Sequence, residues 1–276
     1  MSIFLAIFFL MLGAVAGSFV GALTWRLKQK LDWVKGRSVC EHCKHQLGVG
    51  DLVPIVSWLA LRGKCRYCRK PIGWLAFGLE VGVAAAFGLS YLLWPLGNIV
   101  VGGNLDLGQF GLLAIWLVMV VLMAALFVYD ARWRLLPNKL LWPLVGVAAV
   151  FAILSNVMVG RLGPVDFLTQ ISAALLPVTG VYGILYLLSR GKWIGLGDVK
   201  FGLVVGLLLN FWGAVLVLIG ANLIGVLVML PGLIGRKLNL NSKIPFGPFL
   251  ILATFWTFLF LGQLTDLIRC GDIFII

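Results

Sequence analysis

The chain has 276 residues, of which 62% are hydrophobic and 12% charged, and its formal net charge is +12. A water-soluble domain is about half apolar with roughly a quarter of its residues charged, so this composition excludes a soluble globular fold and makes lipid the solvent for most of the chain. The positive charge does not indicate nucleic acid. Lys and Arg stand in short blocks between long apolar runs, as topology determinants do, and no basic stripe interleaved with aromatics offers bases a stacking surface.

The first apolar run covers 2–25, enough to cross about 30 Å of hydrocarbon. No basic leader precedes it and it continues to Trp25, so it is expected to be a retained span and not a cleaved signal peptide. A polar segment, 26–74, follows as a predicted cytoplasmic loop domain. It holds eleven basic residues, from Arg26 to Lys70 and including Lys35 and Arg37, and two CxxC pairs, Cys40-Glu41-His42-Cys43 and Cys65-Arg66-Tyr67-Cys68. Each pair presents two thiolates from a tight turn, and two such turns complete a tetrahedral site, so Cys40, Cys43, Cys65 and Cys68 are read as ligands of a structural Zn ion. Disulfides are disfavoured in a reducing compartment, whereas reduced or redox-active thiols stay open as an alternative. His42 and His45, the chain's only histidines, are either substitute ligands or solvated neighbours. Cys270 has no partner in sequence. Four protein ligands leave the metal no open position, so this loop is expected to fold around it and to hydrolyse nothing.

Further apolar runs cover 75–97, 110–129, 140–158, 170–188 and 248–268, with a longer one over 201–235. Basic blocks of three residues each fall in 131–139, 190–200 and 236–243 (Arg236, Lys237, Lys243), leaving only Arg161 and Arg269 elsewhere among the 22. With basic loops at the cytoplasmic face, an even number of crossings must separate 190–200 from 236–243. The stretch 201–235 is therefore read as two short, tilted helices turning at Asn210, with a re-entrant loop as the alternative. The predicted fold is an all-α polytopic membrane protein of about eight transmembrane helices, with both termini outside. Its parts are the first helix (1–25), the zinc-binding loop (26–74) and the remaining transmembrane portion (75–276). No internal repeat stands out.

HExxH is absent and no His lies in a predicted helix, which excludes an intramembrane metalloprotease or a Ser–His protease; the serines and lysines form no dyad. Carboxylates remain. Of the ten acids, Asp106, Asp166, Asp266 and Asp272 fall on the outer side, and Asp32 and Glu41 lie among basic residues of the loop. Asp51, Glu80, Asp130 and Asp198 are left near the cytoplasmic face, where an ionisable group at membrane depth is a functional candidate. Asp130 ends the third predicted helix, and Asp198 opens the sixth in Gly195-Leu196-Gly197-Asp198-Val199-Lys200. Two facing carboxyls can share one proton, the ionised one taking a proton from water while the protonated one donates to a scissile carbonyl. Gly195 and Gly197 would let backbone approach a bound peptide. The competing reading pairs Asp130 with Arg132 or Arg134 and makes Asp198 a cap of its own helix.

The pattern resembles the prepilin peptidases, or type IV leader peptidases, over nearly the whole chain. The resemblance rests on Gly17-Ser18-Phe19, the paired CxxC loop with Pro54-Ile55-Val56-Ser57-Trp58-Leu59 and Leu61-Arg62-Gly63-Lys64-Cys65-Arg66, and Glu80. It continues through Asp130 with Leu136-Pro137-Asn138, Gly195 to Lys200, and Lys243-Ile244-Pro245-Phe246-Gly247-Pro248. The Gly-Leu-Gly-Asp element also resembles presenilins and signal peptide peptidases, but those lack the four-cysteine loop. The resemblance implies a GxGD-type aspartic endopeptidase of the bacterial inner membrane, with Asp130 and Asp198 catalytic and Gly195, Gly197 and Lys200 supporting them. Its substrate would be a type IV prepilin or a type II secretion pseudopilin, cut at the cytoplasmic face. Such enzymes often also methylate the new N-terminus with S-adenosylmethionine, for which Asp51 and Glu80 are the candidates here. Gly21, Glu41 and Leu52 depart from the family pattern in the half linked to methylation, and no glycine-rich nucleotide loop supports a cofactor site from the residues alone. For Glu80 the alternative is an ion pair with a basic loop residue. Rival readings are a non-enzymatic adaptor that docks an assembly partner through its zinc loop, and a small transporter using the two aspartates as a proton relay.

Overall fold

A computed structural model describes residues 2–32, 38–101, 104–159, 163–235 and 245–269. Lys35, Arg37, Arg161, Arg236, Lys237, Lys243, Ile244, Cys270 and Asp272 lie outside the described residues. The chain divides into two compact units, Met1–Leu92 and Leu93–Ile276. The division falls after the second long helix, which therefore belongs with the first helix and the cysteine loop.

In the first unit, helix α1 (Ser2–Lys28) and helix α3 (Trp74–Leu92) frame the loop, which carries a 3-10 turn at Val49–Asp51 and the short helix α2 (Val56–Ala60). Small residues bring α1 and α3 together. A Cβ at Gly13 would stand 2.7 Å from the Val83 carbonyl oxygen, and one at Gly17 would stand 2.7 Å from the Glu80 Cα. This four-residue spacing of glycines permits backbone contact between helices in lipid, where close packing replaces the hydrophobic drive. Gly17 of the Gly-Ser-Phe motif is thus a packing residue that seats α1 directly against the turn of α3 bearing Glu80.

The second unit opens with a two-stranded antiparallel hairpin, β1 (Val100–Val101) and β2 (Asn104–Leu105). It continues through α4 (Leu107–Trp133), α5 (Asn138–Val159), α6 (Pro164–Leu175), α7 (Val181–Ser189), α8 (Leu196–Leu208), α9 (Phe211–Ile234) and α10 (Gly247–Arg269). Asp106 caps α4 by accepting the N–H groups of Gly108 and Gln109, so this acid has a structural role. Helix α4 is the hub of the unit: Leu112, Leu113, Trp116, Met119, Met123 and Leu126 are buried along it. Trp116 stacks on Phe258 of α10 with ring centroids 4.0 Å apart.

Among the described residues, six helical segments are long and apolar enough to cross a membrane: α1, α3, α4, α5, the continuous stretch Pro164–Ser189, and α9. With α8 and the shorter apolar part of α10, eight apolar helical segments are present, the expected number. The stretch Pro164–Ser189 begins before the predicted 170–188 because Pro164 sits in the first turn after Gly163, where a missing N–H costs nothing. It is bridged by a π-helical turn at Leu176–Gly180 containing Pro177.

The break at Asn210 is where it was expected: the Asn210 side chain accepts the N–H of Gly213 at 2.8 Å and caps α9. The two helices it joins are unequal, with 13 residues in α8 and 24 in α9, and not the matched short pair of the sequence reading. Helix α8 is about 20 Å long at 1.5 Å per residue. Its inner face buries Phe201, Val204 and Val205 against neighbouring helices.

Candidate active site

In the second unit, Asp130 lies in the last turn of α4, which ends at Arg134 in the left-handed region (φ 55°). Its side chain sits in a residue only 6% exposed, and Oδ2 accepts the backbone N–H of Gly247, at the start of α10, at 3.0 Å. A Cβ at position 247 would stand 2.7 Å from that oxygen, so glycine is what lets this amide approach. Among the described residues no ion pair joins Asp130 to Arg132 or Arg134. The Arg132 guanidinium lies over the Trp133 ring instead, 5.8 Å from its centroid.

Asp198 occupies the first turn of α8, three residues after its N-cap Gly195, and is 7% exposed. The Gly195 backbone bonds its carboxyl, which is the capping role that the residues alone allowed. Capping leaves one oxygen over. Oδ1 is buried and has no hydrogen-bond partner among the described residues. An open buried acceptor costs about 1–3 kcal/mol and in a native fold calls for an explanation such as an absent ligand.

The supports of the two aspartates share one neighbour. Leu136, in the link from α4 to α5, touches both of their supports: a Cβ at Gly197 would stand 2.8 Å from the Leu136 Cβ, and one at Gly247 would stand 3.4 Å from its Cδ2. Lys200 does not join them. Its ammonium donates to the Asn138 side-chain oxygen at 3.0 Å and lies 5.7 Å from the Trp142 ring centroid, which braces the start of α5.

In the first unit, the Sγ atoms of Cys40, Cys43, Cys65 and Cys68 all lie within 4.8 Å of one another, with Cys40 and Cys68 3.9 Å apart. Four thiolates about 2.3 Å from one ion stand roughly 3.8 Å apart in a tetrahedron, so this donor set fits a thiolate-bound metal. The two halves are built alike. Cys40 N–H bonds the His45 carbonyl and Lys44 N–H the Cys40 carbonyl; Cys65 N–H bonds the Lys70 carbonyl and Arg69 N–H the Cys65 carbonyl, all at 2.9–3.0 Å. Lys44 and Arg69 both take a left-handed φ near 60°. This local repeat of backbone geometry escaped the sequence reading because only Cys-x-x-Cys and one following base mark it. At Cys40, burial raises the thiol pKa, but backbone N–H groups of Cys43 and His42 outweigh it and hold it down to about 7. His45 packs its ring on Tyr67 with centroids 3.7 Å apart and lies outside the donor set.

Asp51 uses both oxygens inside the loop. Oδ1 takes the Arg66 Nε–H at 2.6 Å, and Oδ2 takes the Tyr67 hydroxyl at 3.3 Å and the Gly48 N–H at 3.2 Å. The Arg66 guanidinium holds the Asp51 carboxyl below the usual carboxylate range. Glu80, 9% exposed, accepts the Ile55 N–H at 2.6 Å. Among the described residues its bonded partner is a backbone amide and no basic loop residue. Ile55 stands at φ +64°, ψ −54°, a rare conformation for a β-branched residue, and Glu80 anchors it.

Two family models match the chain: the Bacterial Peptidase A24 N-terminal domain over residues 11–94 and the Type IV leader peptidase family over residues 116–230. The chain is 31% identical over 217 residues to a protein named prepilin leader peptidase/N-methyltransferase from Aeromonas hydrophila, covering 79% of this chain and 69% of that one. The chain belongs to the type IV leader peptidase family. Proteins of the same name from Dichelobacter nodosus (29% over 247 residues, 87% of this chain and 77% of that one) and Stutzerimonas stutzeri (26% over 291 residues, 93% and 91%) are also similar. No solved structure matches.

As a leader peptidase the chain is an enzyme and a multi-pass membrane protein. Its two matched regions fall one in each compact unit. Sequence reasoning placed both aspartates but missed the group that holds one of them. Gly247 was part of a quoted motif without a role. Tyr182 and Asn222 also went unnoticed. Asn222 is the only side-chain amide in the apolar run of α9, a signal that was available.

Proposed function

We propose that this leader peptidase is an aspartic endopeptidase in which Asp130 and Asp198 share one proton and hydrolyse the bond between the basic leader and the apolar helix of a prepilin or pseudopilin. The ionised carboxyl takes a proton from water as the oxygen attacks the scissile carbonyl carbon. The protonated carboxyl gives its proton to the carbonyl oxygen. Collapse of the tetrahedral intermediate breaks the C–N bond, the nitrogen taking a proton from the site, so that one water yields one acid and one amine. The observation that carries this reading is the open, buried Oδ1 of Asp198 beside a second buried carboxyl. Gly197 lets Leu136 pack close beside Asp198, and Lys200 supports the site by fixing Asn138. The positive-inside distribution of Lys and Arg favours the cytoplasmic face of the inner membrane as the place of cutting.

The cysteine cluster is proposed to hold a structural Zn ion through Cys40, Cys43, Cys65 and Cys68. Bound there, the ion supplies folding energy to the loop and has no free position for chemistry. Methylation of the new N-terminus is proposed from the names of the relatives, with S-adenosylmethionine as methyl donor. Asp51 and Glu80 fit this activity as braces: they bond Arg66, Tyr67 and Ile55 of the loop itself, and they would act by shaping it.

Mass spectrometry of a prepilin incubated with the purified protein in lipid, with and without S-adenosylmethionine, tests both halves at once. Wild-type protein is expected to release the leader. Asp130→Asn and Asp198→Asn are expected to lose cleavage by at least about a thousandfold, on the scale of losing an essential acid–base group. Near-wild-type cleavage by either variant would return the protein to the adaptor reading.

A further inference from the structure

Tyr182, in the first turn of α7, is 3% exposed and lies within range of the Asp198 charge. The neighbouring residue packs on the same helix: a Cβ at Gly183 would stand 3.8 Å from Val199 Cγ1. Its ring meets Phe246 edge-on at 5.6 Å, one residue before the glycine that bonds Asp130. The hydroxyl oxygen accepts from Asn222 Nδ2 at 3.2 Å.

The direction of that bond decides the argument. The same Asn222 nitrogen stands 2.7 Å from the Leu218 carbonyl. A carbonyl can only accept, so this atom is the amide nitrogen and the Asn222 side chain is not flipped. Nitrogen therefore donates to the Tyr182 oxygen, and the tyrosine's own hydrogen must go elsewhere. Among the described residues no other group bonds it. A buried hydroxyl whose proton no described residue accepts and a buried carboxylate oxygen with no donor, Asp198 Oδ1, thus stand on helices that touch at Gly183 and Val199, with no hydrogen bond between the two groups in the structure. Each is the complement of what the other lacks.

We infer that Tyr182, oriented by Asn222, is a positioning residue for Asp198, its hydroxyl donating toward the Asp198 carboxyl and fixing that group for its exchange of a proton with water. The inference rests on the proposed role of the two aspartates. Asn222 supplies direction only: its N–H occupies one side of the tyrosine oxygen, so the tyrosine proton must leave on another side.

The test compares wild type, Tyr182→Phe, Asn222→Leu and the double variant in lipid vesicles with a prepilin substrate, measuring kcat and KM across pH. Asp130→Asn and Asp198→Asn serve as controls. Removing one hydrogen bond to a charged group is worth roughly ten- to a hundredfold in rate. Tyr182→Phe is expected to lower kcat by that amount, to change KM less than about twofold and to displace the pH–rate profile. Asn222→Leu is expected to displace the profile in the same sense with a smaller loss, and the double variant to be no worse than Tyr182→Phe alone, as groups acting in series require. A wild-type kcat and profile in Tyr182→Phe, or a loss tracking a lowered melting temperature with an undisplaced profile, overturns the inference; so do additive losses in the double variant. Should Tyr182→Phe fail to fold, an undisplaced profile in Asn222→Leu overturns it alone. If the aspartate variants cleave, the dyad reading has failed. If they are dead while Tyr182→Phe is normal, only the present inference falls.

Discussion

The acid side chains of the cysteine loop and those at the ends of α4 and α8 differ in how far they are satisfied. Asp51 has a donor on each oxygen, from Arg66, Tyr67 and Gly48, and the four thiols converge into one closed set. Asp198 keeps a buried oxygen without any partner, and Asp130 is held through one amide on Oδ2. A region whose polar groups complete one another is built to keep its shape. A region that leaves acceptors open is built to receive something. The same residue type is architectural in the first unit and, on the proposed function, reactive in the second, and only its partners tell the two apart.

That contrast breaks most readily at Gly247. A Cβ there would stand 2.7 Å from Asp130 Oδ2 and 3.2 Å from its Cγ, so Gly247→Ala is expected to push the carboxyl out of line while the fold survives. A displacement on the order of 1 Å costs roughly a hundredfold in rate, read as kcat/KM for leader cleavage. Unchanged cleavage would mean that the open region tolerates imprecision.

In the closed region the largest effect is expected from Cys65→Ser or a strong chelator. Either should strip the metal, measured as zinc content falling from about one per chain, and expose 38–72 to protease. Protection that survives both would remove the metal from the account.

The smallest effect concerns Asp51. Its pKa is lowered in the folded loop, so the Arg66 bond stabilises at pH values above the ordinary carboxylate range, about 3.9, and that contribution is lost as pH falls through the depressed value. Hydrogen exchange at 48–51 is expected to stay slow from neutral pH down to about 4 and to quicken below. Arg66→Ala should quicken it slightly at neutral pH and erase the acid step, since an exposed pair contributes little.

Much of this was legible in the chain. Apolar length gave the helices, the paired Cys-x-x-Cys gave the donor set, and the scarcity of acids narrowed the candidates to Asp51, Glu80, Asp130 and Asp198, of which the family resemblance points to the last two. Asn210 announced its turn because a short polar residue between two apolar runs is an N-cap signal. What stayed hidden depends on tertiary contact. Gly247 reaches Asp130 across 117 positions of sequence, and no local pattern encodes that bond. The shape of Pro164–Ser189 was misjudged for another reason: Pro164 and Gly163 are recognisable start signals, but the apolar window weighed hydropathy over capping chemistry. Lys200 belongs to the Gly195–Lys200 motif, but nothing local foretells that its ammonium goes to Asn138, 62 positions earlier.

Helix α8 carries one further consequence. Beyond Leu196 its residues are buried or half-buried, so this short rod offers acyl chains little surface on which its length must be matched. The height of the Asp198 carboxyl is then fixed by its neighbours and not by bilayer thickness, whereas a helix lying in lipid adjusts its tilt to that thickness. A thicker or thinner membrane would move the substrate past a stationary blade.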